Sequence, residues 1–253
     1  MHRFLLAPRW LAWHVALVVV LVAFTLLGRW QLHVYEDADR REQHNASTAP
    51  VALDEVSSPG GRLTGRAVGV RVTARGSYDG EHQLLVPGRR IGGRDGFLLV
   101  TPLRTARGVL PVTRGWVPSP SDPAATAPTG PVTVTGVVQP SESEQDSGVD
   151  PLAPLPAGQI PYVATVRLLT ALPYPESDLY DGYVVLTAQT PAPDPAPRLV
   201  EPRGLDQGIG RWRNLAYALQ WWLFGAAAVF FWWSVVRRAA RERRGEPVAA
   251  GQP

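Results

Sequence analysis

The 253 residues contain no cysteine. That excludes a disulfide, a thiolate metal site, thiol chemistry and covalent haem attachment, so the chain must hold together by its core. Lysine is missing too: all 25 basic residues are Arg, a bias that reflects nucleotide composition more than mechanism. The catalytic motifs that a short pattern can reveal are also absent. There is no Gly-x-x-x-x-Gly-Lys phosphate loop, no paired-His zinc motif and no Ser flanked by glycines. The sequence gives no reason to expect an enzyme. The most informative absence is local: neither Trp10 to Gly28 nor Asn214 to Val236 holds a charged side chain. A helix of about 20 apolar residues crosses roughly 30 Å of hydrocarbon. Each run is therefore long enough to span a membrane, and both ends of the chain are expected to be anchored.

The flanking charges orient the anchors. Arg3 and Arg9 precede the first run, and Arg237, Arg238, Arg241, Arg243 and Arg244 follow the second, as expected of cytoplasmic segments. The organisation expected is a cytoplasmic N-terminus (1–9), a first span (10–28), an extracytoplasmic region (29–213), a second span (214–236) and a basic cytoplasmic tail (237–253). The setting expected is a bacterial cytoplasmic membrane. The first run is longer than the apolar core of about 7 to 15 residues usual for a signal peptide, and Leu26-Leu27-Gly28-Arg29-Trp30 offers no small-x-small cleavage pattern, so an uncleaved anchor is favoured. Trp10, Trp13, Trp221, Trp222, Trp232 and Trp233 suit rings near headgroups or packed on protein.

The ends take seven Arg and two Glu, leaving 18 Arg against 20 acidic residues between the spans, a net of −2. An exported region with that balance is not a nucleic-acid binder, and the basic tails suit anionic lipid. From Arg29 to Arg213 there are 185 residues, enough for one domain with a substantial core. Its pattern is period-2 and rich in valine over Val68 to Gly76, Phe97 to Thr101, Val109 to Thr113, Val132 to Val138 and Tyr183 to Thr187, which predicts strands. Thr105-Ala-Arg-Gly108 reads as the turn of an antiparallel hairpin over Phe97 to Val117. Val112 and Trp116 are evenly spaced on that strand, which predicts a shared face and a buried Trp116. The fold class expected is a membrane protein with two transmembrane helices flanking a mostly-β exported domain, an antiparallel barrel or sandwich. Trp30 to Gln43 reads as a continuation of the first helix, and Val163 to Leu172 as a short helix or a strand. Ser119 to Gly130, Gln139 to Pro161 and Thr190 to Gly204 read as loops, because their prolines deny donors to a sheet.

Single residues are weighed against their plainest readings. Gly88-Arg-Arg-Ile-Gly-Gly93 reads as the turn before the strand at Phe97 rather than a phosphate cradle. Asn45-Ala46-Ser47 is a chance sequon unless the source glycosylates exported proteins. His2, His44 and His82 lie in polar contexts and read as solvated. His14 lies within the first span, where an imidazole faces protein, a polar group or a cofactor, or snorkels to the interface; His33 lies just beyond the span. These two are the histidines that could ligate a cofactor. In the second span Asn214, Tyr217, Gln220, Trp221 and Phe224 recur at spacings of three and four along one face. That face is an aromatic belt with Asn214 as a cap, or a docking surface for a membrane helix or flat cofactor. Gly225-Ala226-Ala227-Ala228 beyond it permits close approach of a neighbouring helix.

Several segments, in order, resemble the Surfeit locus protein 1 family, membrane factors for assembling cytochrome c oxidase. Gly28-Arg-Trp-Gln-Leu32 is similar to the Gly-x-Trp-Gln signature at the exit of the first helix. Val70-Arg-Val-Thr with Gly76-Ser-Tyr-Asp79 resembles the first strand pair. Gly96 through Thr101-Pro-Leu103 and Val112-Thr-Arg-Gly-Trp-Val-Pro118 resemble the strand, turn and core motif. Arg213-Asn-Leu-Ala-Tyr-Ala-Leu-Gln-Trp221 is similar to the family's Asn-His-x-x-Tyr-Ala-x-x-Trp. Where that pattern places a histidine after the Asn, the residue implicated in haem a binding, this chain has Leu215, which cannot ligate iron. A family Arg soon after the Trp-Gln pair is represented by Val34 or displaced.

The resemblance implies an oxidase assembly factor acting as a scaffold against membrane subunits of cytochrome c oxidase, without catalysis. The implied docking residues are Asn214, Tyr217, Gln220, Trp221 and Phe224, with Trp30, Gln31, Arg114, Gly115 and Trp116. Haem a carriage through His14 or His33 is the alternative, and a structural membrane module unrelated to respiration is a third.

Overall fold

A computed structural model describes residues 8–150, 152–203 and 209–242. In chain order the elements are α1 (Pro8–Ser47), β1 (Val51–Ala52), α2 (Leu53–Val56), β2 (Arg71–Tyr78), β3 (Leu84–Ile91), β4 (Arg94–Thr105) and β5 (Val109–Val117). Then come β6 (Pro131–Gln139), α3 (Thr165–Ala171), β7 (Tyr183–Thr190) and α4 (Ile209–Glu242). They form two compact units, one built on the terminal helices and the other on Arg41–Leu205.

In the helical unit, α1 and α4 run antiparallel. Trp10–His33 has mean hydropathy 2.4 and Leu215–Arg241 has 1.4, each long and apolar enough to cross a membrane. Leu11, Val15, Val18, Val22 and Leu26 are exposed along one side of α1, a continuous apolar stripe that water would not tolerate and lipid does. The seam between the helices is aromatic. Phe24 meets Trp221 at 5.6 Å and Phe224 at 6.1 Å between ring centroids, and the Trp222 ring occupies the space a side chain at Gly28 would need. Gly225 is buried against Leu21 and Phe24. The neighbour admitted by the small residues of α4 is thus α1 itself.

In the other unit the strands close into a ring. β2 pairs antiparallel with β6 and, at its end, with β4; β6 pairs antiparallel with β7; β7 runs parallel to β5; and β5 returns antiparallel to β4. The result is a five-stranded barrel rather than a sandwich, widened by β3 on β4 and by the parallel β1 on β2. Closure leaves few free edges. One apolar cluster draws on all five ring strands and includes Val72, Leu103, Val112, Val134 and Val184. A second joins Val86, Leu98, Trp116 and Val185 to Leu168 of α3.

Period-2 valine patterning finds β2, β4, β5, β6 and β7, and the segment at Val163 to Leu172 resolves as helix. β3 lies where a turn was expected: of Gly88 to Gly93, only Gly92 and Gly93 form the loop, with φ of 60° and 78°. Two successive positive φ values describe the tight primed turn whose twist matches an antiparallel hairpin, which glycine adopts without cost.

The shared face expected for Val112 and Trp116 is not found. Trp116 is buried, but it packs in the second cluster and Val112 in the first. The β4–β5 register explains this: Leu99 opposes Gly115 while Val100 opposes Thr113, leaving Arg114 as the extra residue of a bulge. One extra residue reverses the alternation beyond it. Gly115 completes the bulge at φ 149°, and a Cβ there would come 2.7 Å from the Arg198 carbonyl.

Candidate functional site

The docking face read from α4 divides on folding. Trp221 is half-buried on Phe24 and belongs to the helix seam, whereas Tyr217 and Phe224 are each 43% exposed and Gln220 is exposed. The side chain of Asn214 falls outside the described residues. On α1, Trp30 is exposed and Gln31 half-buried. The outward aromatic surface of the helical unit near this level therefore includes Tyr217, Trp222, Phe224 and Trp30.

Arg114 and Trp116 are both buried. Arg114 is 1% exposed. It donates from Nε to Thr101 Oγ1 at 2.9 Å, and from one Nη to Gln83 Oε1 at 2.7 Å and the Ala125 carbonyl at 2.6 Å. Its guanidinium also lies 5.6 Å from the centre of the Tyr78 ring. Burial pulls this arginine below its ordinary pKa, with Tyr78 working the other way. Trp116 donates from Nε1 to the Arg89 carbonyl at 2.8 Å. Its backbone pairs in both directions with Arg198, which lies in the strap over residues 191–203. The Arg-Gly-Trp motif thus encodes a bulge, a cation held by neutral acceptors, and a seat for the strap. These are structural duties.

His14 and His33 each donate from Nδ1 to the carbonyl four residues earlier, of Trp10 and of Arg29. That leaves Nε2 as the nitrogen able to accept or ligate. The His14 ring also meets Trp232 edge-on, with centroids 5.4 Å apart. The two imidazoles stand 19 residues apart on one helix, about 28 Å along its axis, so they cannot hold one iron between them. The two histidines therefore stand at separate levels of α1. A crevice between α1 and α4 has a volume of about 150 Å³ and is lined by neither histidine. Among the described residues no cluster of three or more His, Asp or Glu side chains is placed to hold a metal.

Registered on Tyr217 and Trp221, the pattern Asn-His-x-x-Tyr-Ala-x-x-Trp puts its histidine on Asn214 rather than on Leu215, and its Asn on Arg213. Neither Asn214 nor Leu215 supplies an imidazole, so neither can ligate iron in its place.

Two polar clusters in the β-domain were not expected. Asp79 is buried and accepts at Oδ2 from Arg104 through Nε (3.1 Å) and Nη2, from Tyr174 and from His82 Nδ1 (2.9 Å). Burial alone would raise its carboxyl. The hydrogen bonds from Tyr174, Arg104 and His82, with the Arg104 charge, outweigh burial and bring its pKa down to about 2. His82 is thus a partner of Asp79 and not merely solvated. The only sign in the sequence was Asp79 itself, at the end of Gly76-Ser-Tyr-Asp.

Glu142, from the segment read as a loop, is buried between Arg89 and Arg203. Arg203 reaches its Oε1 at 2.9 Å, the Val163 amide donates to Oε2 at 2.8 Å, and the Tyr183 hydroxyl lies 3.4 Å from Oε1. Arg203 also pairs with Asp146 at 2.7 Å, and its carbonyl accepts from Gln139. The far end of the strap is pinned there. Both carboxylates are saturated with donors, so neither is a free base or nucleophile.

The SURF1 family model matches residues 18–226, from within α1 through every strand of the barrel to the middle of α4. No curated protein matches the chain. The family is known for the assembly of cytochrome c oxidase and is not a known enzyme family. A match over so much of the chain, reaching into both apolar helices and taking in the barrel between them, places this protein in the SURF1 family.

Proposed function

We propose that this protein is a membrane-anchored assembly factor for cytochrome c oxidase, acting as a scaffold that holds a membrane subunit of the enzyme during biogenesis. The family match carries this reading. The exposed aromatics Tyr217 and Phe224, beside the α1–α4 seam, support it as the surface a partner helix would cover. In this reading both termini are cytoplasmic and the β-domain lies outside, as the Arg flanks suggest. A protease-accessible tag at either end of the chain in sealed cells would contradict that orientation.

Scaffolding asks the β-domain for shape, and the barrel, the bulge at Arg114 and the pinned strap supply it. It requires no ligated iron. The test is co-purification from native membranes. Wild type should bring down membrane subunits of the oxidase, and the Tyr217→Ala/Phe224→Ala double variant should bring down less at equal abundance. Hot-spot aromatics commonly contribute at least 2 kcal/mol each, roughly thirtyfold in affinity. Equal recovery would remove the docking face.

A second reading, haem a carriage, is favoured by one observation. The Nδ1 of His33 is bound to a carbonyl, leaving its Nε2 on an exposed side chain. An absorption spectrum of the purified protein separates the readings. Stoichiometric haem lost on His33→Ala or His14→Ala means a carrier, and no histidine-dependent haem means a scaffold.

A further inference from the structure

We propose that the crevice between α1 and α4 at their Arg-bearing end binds one anionic phospholipid, its acyl chain in the crevice and its phosphate on the arginines that follow. The site rests on the membrane placement argued above and not on the oxidase role.

Three observations converge. The crevice, of about 150 Å³, is lined by hydrocarbon and aromatic surface that includes Trp10, Trp13, Leu17, Ala228, Phe231 and Trp232. Within hydrocarbon such a space is filled by a chain rather than left empty or wet. Trp232 Nε1 is buried with no hydrogen-bond partner among the described residues. An indole N–H in that position requires an acceptor, and the ester carbonyl of a glycerolipid supplies one at the boundary between chain and headgroup.

The third observation is charge. No acidic residue occurs between Ile209 and Arg241, while Arg237, Arg238 and Arg241 follow directly on the crevice. Arg238 lies seven residues beyond Phe231 and three beyond Val235, both of which line the crevice, so it recurs on the same face. It stands six residues beyond Trp232, about 9 Å along the axis. That span is suited to a phosphate beyond an ester, with the long Arg side chain taking up the difference. Arg237 is steadied over the Trp233 ring at 5.0 Å. A zwitterionic lipid would fill the crevice equally well but carries no net charge to meet the arginines.

Native mass spectrometry of the full chain in neutral detergent tests this, with phosphatidylglycerol or phosphatidylcholine added in defined amounts. Wild type should retain one phosphatidylglycerol in preference to phosphatidylcholine. The preference should fall by roughly fivefold for each Arg removed in Arg237→Gln, Arg238→Gln and Arg241→Gln. Ala228→Leu, which fills the crevice, and Trp232→Phe, which removes the donor, should each lower retention with all arginines intact. If the Arg variants lose lipid and the crevice variants do not, the attraction is a diffuse surface effect and the site is refuted. Equal retention of the two lipids refutes it as well. Release of the protein from membranes by alkaline carbonate would instead overturn the membrane placement, a separate failure.

Discussion

Trp116 offers the sharpest mechanical test of the β-domain. Its side chain is 7% exposed within a cluster that includes Leu98, Val100, Leu168 and Val185. The ring lies so close over Gly96 that a Cβ there would stand 2.5 Å from it, and its Nε1 satisfies the Arg89 carbonyl. Trp116→Ala removes that area and leaves a cavity, which costs about 3 to 5 kcal/mol for a buried tryptophan. The orphaned Arg89 carbonyl adds about 1 kcal/mol. Trp116→Phe keeps most of the apolar contact and loses the hydrogen bond, so it should sit between Ala and wild type. For a domain of this size each kcal/mol lowers the melting temperature by about 2 to 4 °C, so the Ala variant, at about 4 to 6 kcal/mol in all, should melt roughly 8 to 24 °C lower. The readout is near-ultraviolet circular dichroism of the full chain in detergent, with far-ultraviolet signal checking that the helices persist. An Ala variant within about 2 °C of wild type, or a Phe variant as damaged as Ala, would refute the packing argument.

Gly115→Ala places a methyl group against the Arg198 carbonyl at a backbone conformation suited to glycine. It should cost about 1 to 3 kcal/mol and open residues 191–203 to proteolysis; an unchanged cleavage pattern would contradict the seating of the strap. Because the folded pKa of Asp79 lies near 2, below its ordinary 3.8, the stability it contributes is complete above that ordinary value. It is lost as the pH falls toward 2. Asp79→Asn should therefore weaken the domain at neutral pH and flatten the decline over that acid range, and parallel pH profiles for variant and wild type would contradict the cluster.

The parts of this fold legible in sequence are those that repeat. Valine at every second position marks β2, β4, β5, β6 and β7, and two uncharged runs mark the helices, because period and composition act over many residues. β3 escaped because Pro87-Gly88-Arg89-Arg90 breaks its alternation, and a second register shift falls there, between Val86 and Arg89. The bulge at Arg114 escaped because its cause is the pairing of β5 with Leu99 and Val100, and within β5 only Gly115 hints at it. On α4 the spacing of Tyr217, Gln220, Trp221 and Phe224 correctly gathers them to one side. Which of them meets α1 depends on Phe24 and Gly28, nearly two hundred residues away. Asp79 meets Arg104 and Tyr174 across separations of 25 and 95 residues, and no local pattern carries such a pairing.

The scaffold role is tested most directly by the amount of assembled cytochrome c oxidase in native cells lacking this protein, read from the haem a band of reduced-minus-oxidised membrane spectra. Deletion should lower that band. Wild type and the His14→Ala/His33→Ala double variant should restore it alike, since the role requires no iron ligand from this chain. A deletion strain with normal oxidase would contradict the assembly function, and failure of the double-histidine variant at normal abundance would contradict a scaffold that works without haem ligation.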